Sequence, residues 1–213
     1  MVCVCVLHVS WYFVYMSAEF HEIGTPLSAT NEWSIVDGNL FSRKGWCIDS
    51  MGRGVSVYSL ALDGNLFELA KYRGFLDTVV FGSGSTVMHY AVAGGWTNVV
   101  EFLLFAMKRP HLPDKLGVCP LSLACRYGHL KVFTILLLNG GIISPDKRGN
   151  NALHECAING QDHCLQDLLQ FCTEKYPSMY SHCVWDKNIF GKTPFDLVTD
   201  STTSQLLLSY MKK

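Results

Sequence analysis

The chain has 213 residues, 49% of them hydrophobic and 16% charged, with 17 basic against 18 acidic side chains and a net charge of −1. Such a chain can bury a core unaided and lies far from the disordered regime. Its near-neutral balance supplies no global field for nucleic acid or an anionic membrane, so any electrostatic preference is local. The nine cysteines are odd in number and scattered. With no Cys-x-x-Cys pair among them, they argue against a secreted disulfide scaffold or a closed zinc site and favour a reducing compartment.

Residues 1–18, MVCVCVLHVSWYFVYMSA, carry no formal charge and are rich in β-branched and aromatic types. A signal peptide wants a basic start, yet no Lys or Arg precedes Arg43. A membrane span wants about twenty apolar residues, whereas this run contains His8 and Ser10 and is followed by Glu19 and Glu22. It reads as a β-prone extension, with a signal or membrane anchor as the alternative. Residues 19–54 contain Pro26 and glycines without a clear apolar period and read as irregular. GWCIDSMGRG at 45–54 lacks the Gly-Lys-Ser/Thr ending of a phosphate loop, and no lysine follows FGSGST at 81–86.

A repeat follows. GSTVMHYAVAGGWTNVVEFLL (84–104), GVCPLSLACRYGHLKVFTILL (117–137) and GNNALHECAINGQDHCLQDLL (149–169) align in register. Gly84, Gly117 and Gly149 recur at 33 and then 32 residues, and the pairs Leu103-Leu104, Leu136-Leu137 and Leu168-Leu169 close each unit. Apolar residues fall at helical spacing in two short runs broken by Gly95, Gly128 and Gly160, which predicts helix, tight turn, helix. Asp114-Lys115-Leu116-Gly117 and Asp146-Lys147-Arg148-Gly149 supply the residues a tight inter-unit turn uses. One unit cannot bury its apolar face alone, so neighbours stack into a solenoid.

On these residues the sequence resembles the ankyrin-repeat family, whose unit runs Asp-x-x-Gly-x-Thr-Pro-Leu-His-x-Ala with Gly-His at the helix turn. The second unit matches best, with Asp114, Gly117, Pro120, Leu121, Ala124, Gly128 and His129, although Cys119 stands for Thr and Ser122 for His. The first keeps Gly84, Thr86, His89 and Ala91; the third keeps Asp146, Gly149, Leu153 and His154. DKNIFGKTPFDLV (186–198) reads as a degenerate terminal unit anchored on Asp186 with two extra turn residues, and VYSLALDGNLFELAKYRG (57–74) as a first one. The resemblance implies an all-α ankyrin-repeat solenoid of stacked helix-turn-helix units joined by β-turn loops. It spans residues 55–213, in units near 55–80, 81–113, 114–145, 146–185 and 186–213, behind an N-terminal extension at 1–54. QFCTEKYPSMYSHCVW (170–185) is an insertion, and insertions in solenoids map to one face.

This register decides how LHECAINGQDHC (153–164) is read. His154, like His89, takes the family's histidine position and is expected to hydrogen-bond at the start of the first helix. Cys156 and Cys164 are expected in the core. A metalloprotease helix needs His-Glu-x-x-His, but Ile158 stands where the second His would be. No catalytic constellation, dinucleotide fingerprint or metal set is found, so no enzyme, cofactor, metal or small-molecule substrate is expected.

The resemblance instead implies a non-catalytic adaptor or scaffold that binds a protein partner on its concave face, formed by the turns and first helices. The family's contact positions fall on Lys115, Leu116 and Val118, on Arg126 and Tyr127, on Lys147, Arg148 and Asn150, on Ile158 and Asn159, and on Lys187, Asn188 and Lys192. Gly82, Ser83, Ser85, Ala93 and Gly94 match them in the first unit. Stacked in register, Lys115, Lys147 and Lys187 would form a basic column joined by Arg148 and Lys192. That column suits an acidic partner; plain solvated surface is the alternative. Trp96 stands where the helix turn usually has His, and two roles are open to it: binding anchor, or cover over the inter-repeat core. Gly95, Gly128 and Gly160 are structural. A cytoplasmic or nuclear location is expected, with membrane tethering through residues 1–18 as the alternative.

Overall fold

The computed structural model describes residues 33–36, 39–42, 46–48, 54–77, 83–175 and 183–211. The chain divides into two units between residues 34 and 35, and of the first only the start of a strand is described. The hydrophobic stretch 1–18 lies outside the described residues. Four short strands precede the solenoid: β1 (Trp33–Val36), β2 (Asn39–Ser42), β3 (Trp46–Ile48) and β4 (Gly54–Ser56). β3 pairs antiparallel with β2 through Leu40 opposite Ile48, and with β4 through Cys47 opposite Val55. The region read as irregular thus holds a small meander. Its strands are brief aromatic and β-branched runs, and Asp37-Gly38, a hairpin-turn dipeptide, falls between β1 and β2 in sequence.

The repeats are helical. The first unit holds α1 (Val57–Leu62) and α2 (Leu66–Leu69), with a 3-10 turn at Ala70–Phe75. Three full units follow: α3 (Val87–Gly94) with α4 (Thr97–Ala106), α5 (Pro120–Tyr127) with α6 (Leu130–Leu138), and α7 (Ala152–Ile158) with α8 (Asp162–Lys175). A 3-10 turn at Phe195–Leu197 and α9 (Ser201–Met211) end the array. Each start carries its own signal. Thr86 and Asn151 cap α3 and α7, and Pro120 opens α5, where its missing N–H is no loss. Gly128 ends α5 at φ +70°, a left-handed conformation that costs a residue with a Cβ about 1–2 kcal/mol.

The helices pack on their neighbours in adjoining units as well as within their own, α1, α3, α5 and α7 in one layer and α4, α6 and α8 in the other, with α9 against α8. The buried core runs the length of the array through Leu69, Met88, Leu103, Phe133, Leu136, Leu153, Leu168, Leu169 and Leu207, each 0% exposed. Side chains spaced three and four along a short helix share one face; here that face meets the next unit.

Side-chain oxygens at the turn starts set the register. Asp114 Oδ1 accepts from the Leu116 and Val118 amides at 2.8 and 2.9 Å, and Asp146 Oδ1 from Arg148 and Asn150 at the same distances. Asn188 Oδ1 accepts from Phe190 and Lys192 at 3.0 Å each. Asn188, not Asp186, therefore opens the last turn, and no residues are inserted within it. The amide oxygen substitutes for the carboxylate because the motif needs only an acceptor. The insertion instead lengthens α8 to 14 residues, against 10 in α4 and 9 in α6. It returns at Cys183 and Val184, both buried, where Asn151 Nδ2 donates to the Cys183 carbonyl at 3.0 Å. The rest of it, 176–182, lies outside the described residues.

Candidate partner-binding surface

Backbone bonds hold the turn tips in a row. The Lys115 amide donates to Ser83 O at 2.9 Å, Lys147 to Leu116 O at 2.8 Å and Ile189 to Arg148 O at 2.9 Å. Equivalent positions are thus Ser83, Leu116, Arg148 and Phe190 at one site, and Lys115, Lys147 and Ile189 at the one before it. The expected basic column is corrected: it holds Lys115 and Lys147 but ends there. Lys187 precedes the turn, and Ile189 takes its place at 68% exposure beside Phe190 at 71%. Anchoring the turn on Asp186 puts Lys187 at the tip and hides these two apolar residues. The available signal was the three-residue spacing Asp114–Gly117 and Asp146–Gly149, which Asn188–Gly191 repeats.

Three other expected contact residues are also corrected. Val118, Asn150 and Asn188 are buried, because the position after the turn glycine points into the stack, and the turn-opening residue holds the tip. Asn188 Nδ2 donates to Asn150 Oδ1 at 3.0 Å. Leu116, Tyr127 and Ile158 are exposed, as are the side chains of Lys115, Lys147, Lys187 and Lys192. Asn159 donates to Glu155 O at 2.8 Å. Ser83 is exposed, Ser85, Ala93 and Gly94 are half-buried, and Gly82 lies outside the described residues.

Glu155 is buried, and its carboxylate accepts from Arg126 Nε at 2.9 Å and lies 3.8 Å from Arg148 Nη2. Arg148 also reaches Asp146 at 3.2 Å. The hydrogen bond that Arg126 donates to Glu155 holds its guanidinium above its ordinary pKa despite partial burial. Both arginines are therefore tied to the scaffold, although the Arg148 side chain is still exposed beside those of Lys115 and Lys147.

Behind the tips, the residue after each helix-turn glycine reaches back one unit. Trp96 Nε1 donates to Leu62 O at 2.7 Å, and His129 Nε2 to Ala93 O at 3.1 Å. A Cβ at Gly64 would lie 2.4 Å from the Trp96 ring, so the indole is packed against the first unit although 42% exposed. Trp96→Phe should lower stability by about 1 kcal/mol through loss of that bond, measured as a fall in the urea midpoint.

A profile of ankyrin repeats matches residues 61–144 and 88–179, in three copies. The chain belongs to the ankyrin-repeat family. It is 32% identical over 134 residues to a probable E3 ubiquitin-protein ligase of Oryza sativa subsp. japonica, covering 60% of this chain and 27% of that protein. It is 30% identical over 118 residues to a tyrosine-protein kinase of Hydra vulgaris, covering 54% and 14%. It is 38% identical over 82 residues to the human SH3 and multiple ankyrin repeat domains protein 2, covering 38% and 4%. The chain thus spans about a quarter or less of these relatives' length. Ankyrin repeats are a non-catalytic interaction fold whose partners are proteins. Among the described residues no helix is long and apolar enough to cross a membrane.

The ankyrin histidines lie at the joints of the stack. His89 Nδ1 accepts from the Thr86 amide at 3.1 Å while Nε2 donates to Val118 O at 3.0 Å. His154 repeats this with the Asn151 amide at 3.3 Å and Lys192 O at 3.2 Å. At His89 Nδ1 must stay unprotonated to accept, whereas His154 Nδ1 also lies 2.8 Å from Asn151 Oδ1, an acceptor to which it can donate. Burial lowers both pKa values, opposed by the carbonyl bonds and, to a lesser extent, by Asp114 near His89 and by Asp186, Glu155 and Asp146 near His154. A depressed folded-state pKa means that the unfolded chain binds more protons as pH falls through 6.5, the ordinary value. The contribution of His89 and His154 to stability is therefore fully present above that pH and is lost below it. The urea midpoint should fall between about pH 7.5 and about pH 5, and His89→Gln with His154→Gln should flatten that difference.

The cysteines of the repeats whose side chains are described are structural. Cys119, Cys125, Cys156, Cys164, Cys172 and Cys183 are all buried and free. Burial pushes the thiols of Cys164 and Cys172 up to about 12, so neither is a thiolate at neutral pH.

Proposed function

We propose that this chain is a non-catalytic adaptor that binds an acidic segment of a partner protein along its concave face, in a reducing compartment. The observation that carries this reading is the asymmetry of charge at the central tips. Asp114 and Asp146 turn inward to hold two amides each, while Lys115 and Lys147 are exposed. The acids are used up by the frame and the bases face outward, on a chain of net charge −1. Exposed Leu116, Tyr127 and Ile158 add apolar contact of the kind that gives such surfaces affinity. The named activities of the ligase and kinase relatives lie in proteins of which this chain covers a small part, so they suggest company for the module rather than an activity of it.

The test uses the full chain with three fluorescent peptide pools, acidic, neutral and basic, read by anisotropy. The acidic pool should bind, weaken as salt rises from about 50 to about 500 mM, and lose binding to a folded Lys115→Glu/Lys147→Glu variant. Equal binding of all pools, or binding untouched by the variant, would overturn the reading.

A further inference from the structure

We propose that the concave face takes its ligand in a fixed direction and register: an extended acidic peptide whose bulky apolar residue seats on the last turn. This rests on the acidic-partner reading above and adds to it the ligand's polarity and spacing. The tips change character along the row. Lys115 and Lys147 give way at the equivalent place to Ile189, and Leu116 and Arg148 at the neighbouring one to Phe190, so that the last turn has two apolar tips about 70% exposed and no basic one. Trp185, on the segment entering that turn, is a third large apolar side chain and is 57% exposed. Lone exposed apolar residues are ordinary; three within six positions at one turn make a patch of the kind that marks a binding site.

Charge complementarity says what covers it. With their carboxylates held inward, the central turns present the basic side chains of Lys115, Lys147 and Arg148 outward. The last turn has no carboxylate in the equivalent role, because Asn188 does that work. Asp186, Lys187 and Lys192 flank the last turn and are exposed, so the charge around its apolar tip is mixed. A ligand with both acids and an apolar anchor therefore gains most when its acids lie over Lys115 and Lys147 and its anchor over Ile189 and Phe190.

Spacing follows from the stack. Packed helices step by roughly 8–10 Å, and an extended chain advances about 3.3–3.6 Å per residue. One unit is therefore about three residues of peptide. The carboxylate over Lys147 should sit about three residues from the anchor, and the one over Lys115 about six, all on one side of the anchor.

The experiment measures anisotropy of labelled synthetic peptides with the full chain. One peptide carries a Phe anchor with Glu about three and about six residues away; it is made in both chain directions. A second moves the Phe between the acids, and a third replaces it with Ser. One direction of the anchored peptide should bind roughly tenfold or more tightly than its reverse and than the second and third peptides. Ile189→Ser/Phe190→Ser should erase that advantage while leaving the Ser peptide's affinity unchanged. Both side chains are exposed, so the fold should survive, checked by circular dichroism. If acidic peptides bind but neither the anchor's position nor this variant matters, the register proposal fails and the acidic-partner reading stands. If no acidic peptide binds, both fail.

Discussion

Phe133→Ala should cost about 3–5 kcal/mol of stability, the range for emptying a fully buried aromatic site. Phe133 is 0% exposed near the start of α6, the second helix of the middle unit, which packs on α4, α5 and α8. The lost ring leaves a void whose lining belongs to several units, and stacked short helices have little freedom to collapse onto it. A domain holds only about 5–15 kcal/mol in all, so this one change removes a large share. Its position matters as much as its size. In a repeat array each unit is held by its neighbours, and weakening the central unit uncouples the two ends. Urea unfolding followed by Trp fluorescence and by far-ultraviolet circular dichroism should then give two midpoints where the parent gives one. Phe105→Ala is the control: Phe105 is 91% exposed near the end of α4, and its loss should stay within about 0.5 kcal/mol. Equal effects of the two substitutions would mean that the described core is not what holds the array.

The units were legible because their markers are physical necessities that recur. A left-handed glycine such as Gly128 and a leucine pair that must find the next unit leave a period in the chain. The last unit's register was less legible, since Asp was read as a marker when the turn asks only for an oxygen acceptor, which Asn188 supplies. A register counted from Asp186 places Lys187 in the column, where Ile189 and Phe190 stand. The network on Glu155 left no periodic trace, because Arg126 and Arg148 come from different units and meet only after stacking. The burial of Val118 and Asn150 is of the same kind: both look like loop residues, and only the bend of the turn sends them inward. The strands at 33–56 were obscured by their brevity, although Asp37-Gly38 is a hairpin signal in its own right.

Gly149→Ala should destabilise by about 2–4 kcal/mol, from about 1–2 for a left-handed Ala and the rest from contact and a lost backbone bond. Gly149 sits at φ +76°, and a Cβ there would meet Asn188 Cα at 2.9 Å and Ile189 N at 3.2 Å. Those atoms are backbone of the next turn and cannot swing aside as a side-chain end could. The last turn must move, and the Ile189 amide to Arg148 O bond of 2.9 Å is the link that gives. Gly140→Ala separates the two contributions, because Gly140 has φ +83° and nothing within 4 Å of its added Cβ. It should cost only the conformational part, about 1–2 kcal/mol. The gap between the two midpoints in urea then measures how tightly one turn is locked to the next. The same displacement carries Ile189 and Phe190 away from Lys147. Gly149→Ala should therefore weaken the anchored acidic peptide more than the anchorless one, whereas Gly140→Ala should leave both unchanged. A Gly149→Ala protein no less stable than Gly140→Ala would show that the turns are not held in the close register on which the row of tips depends.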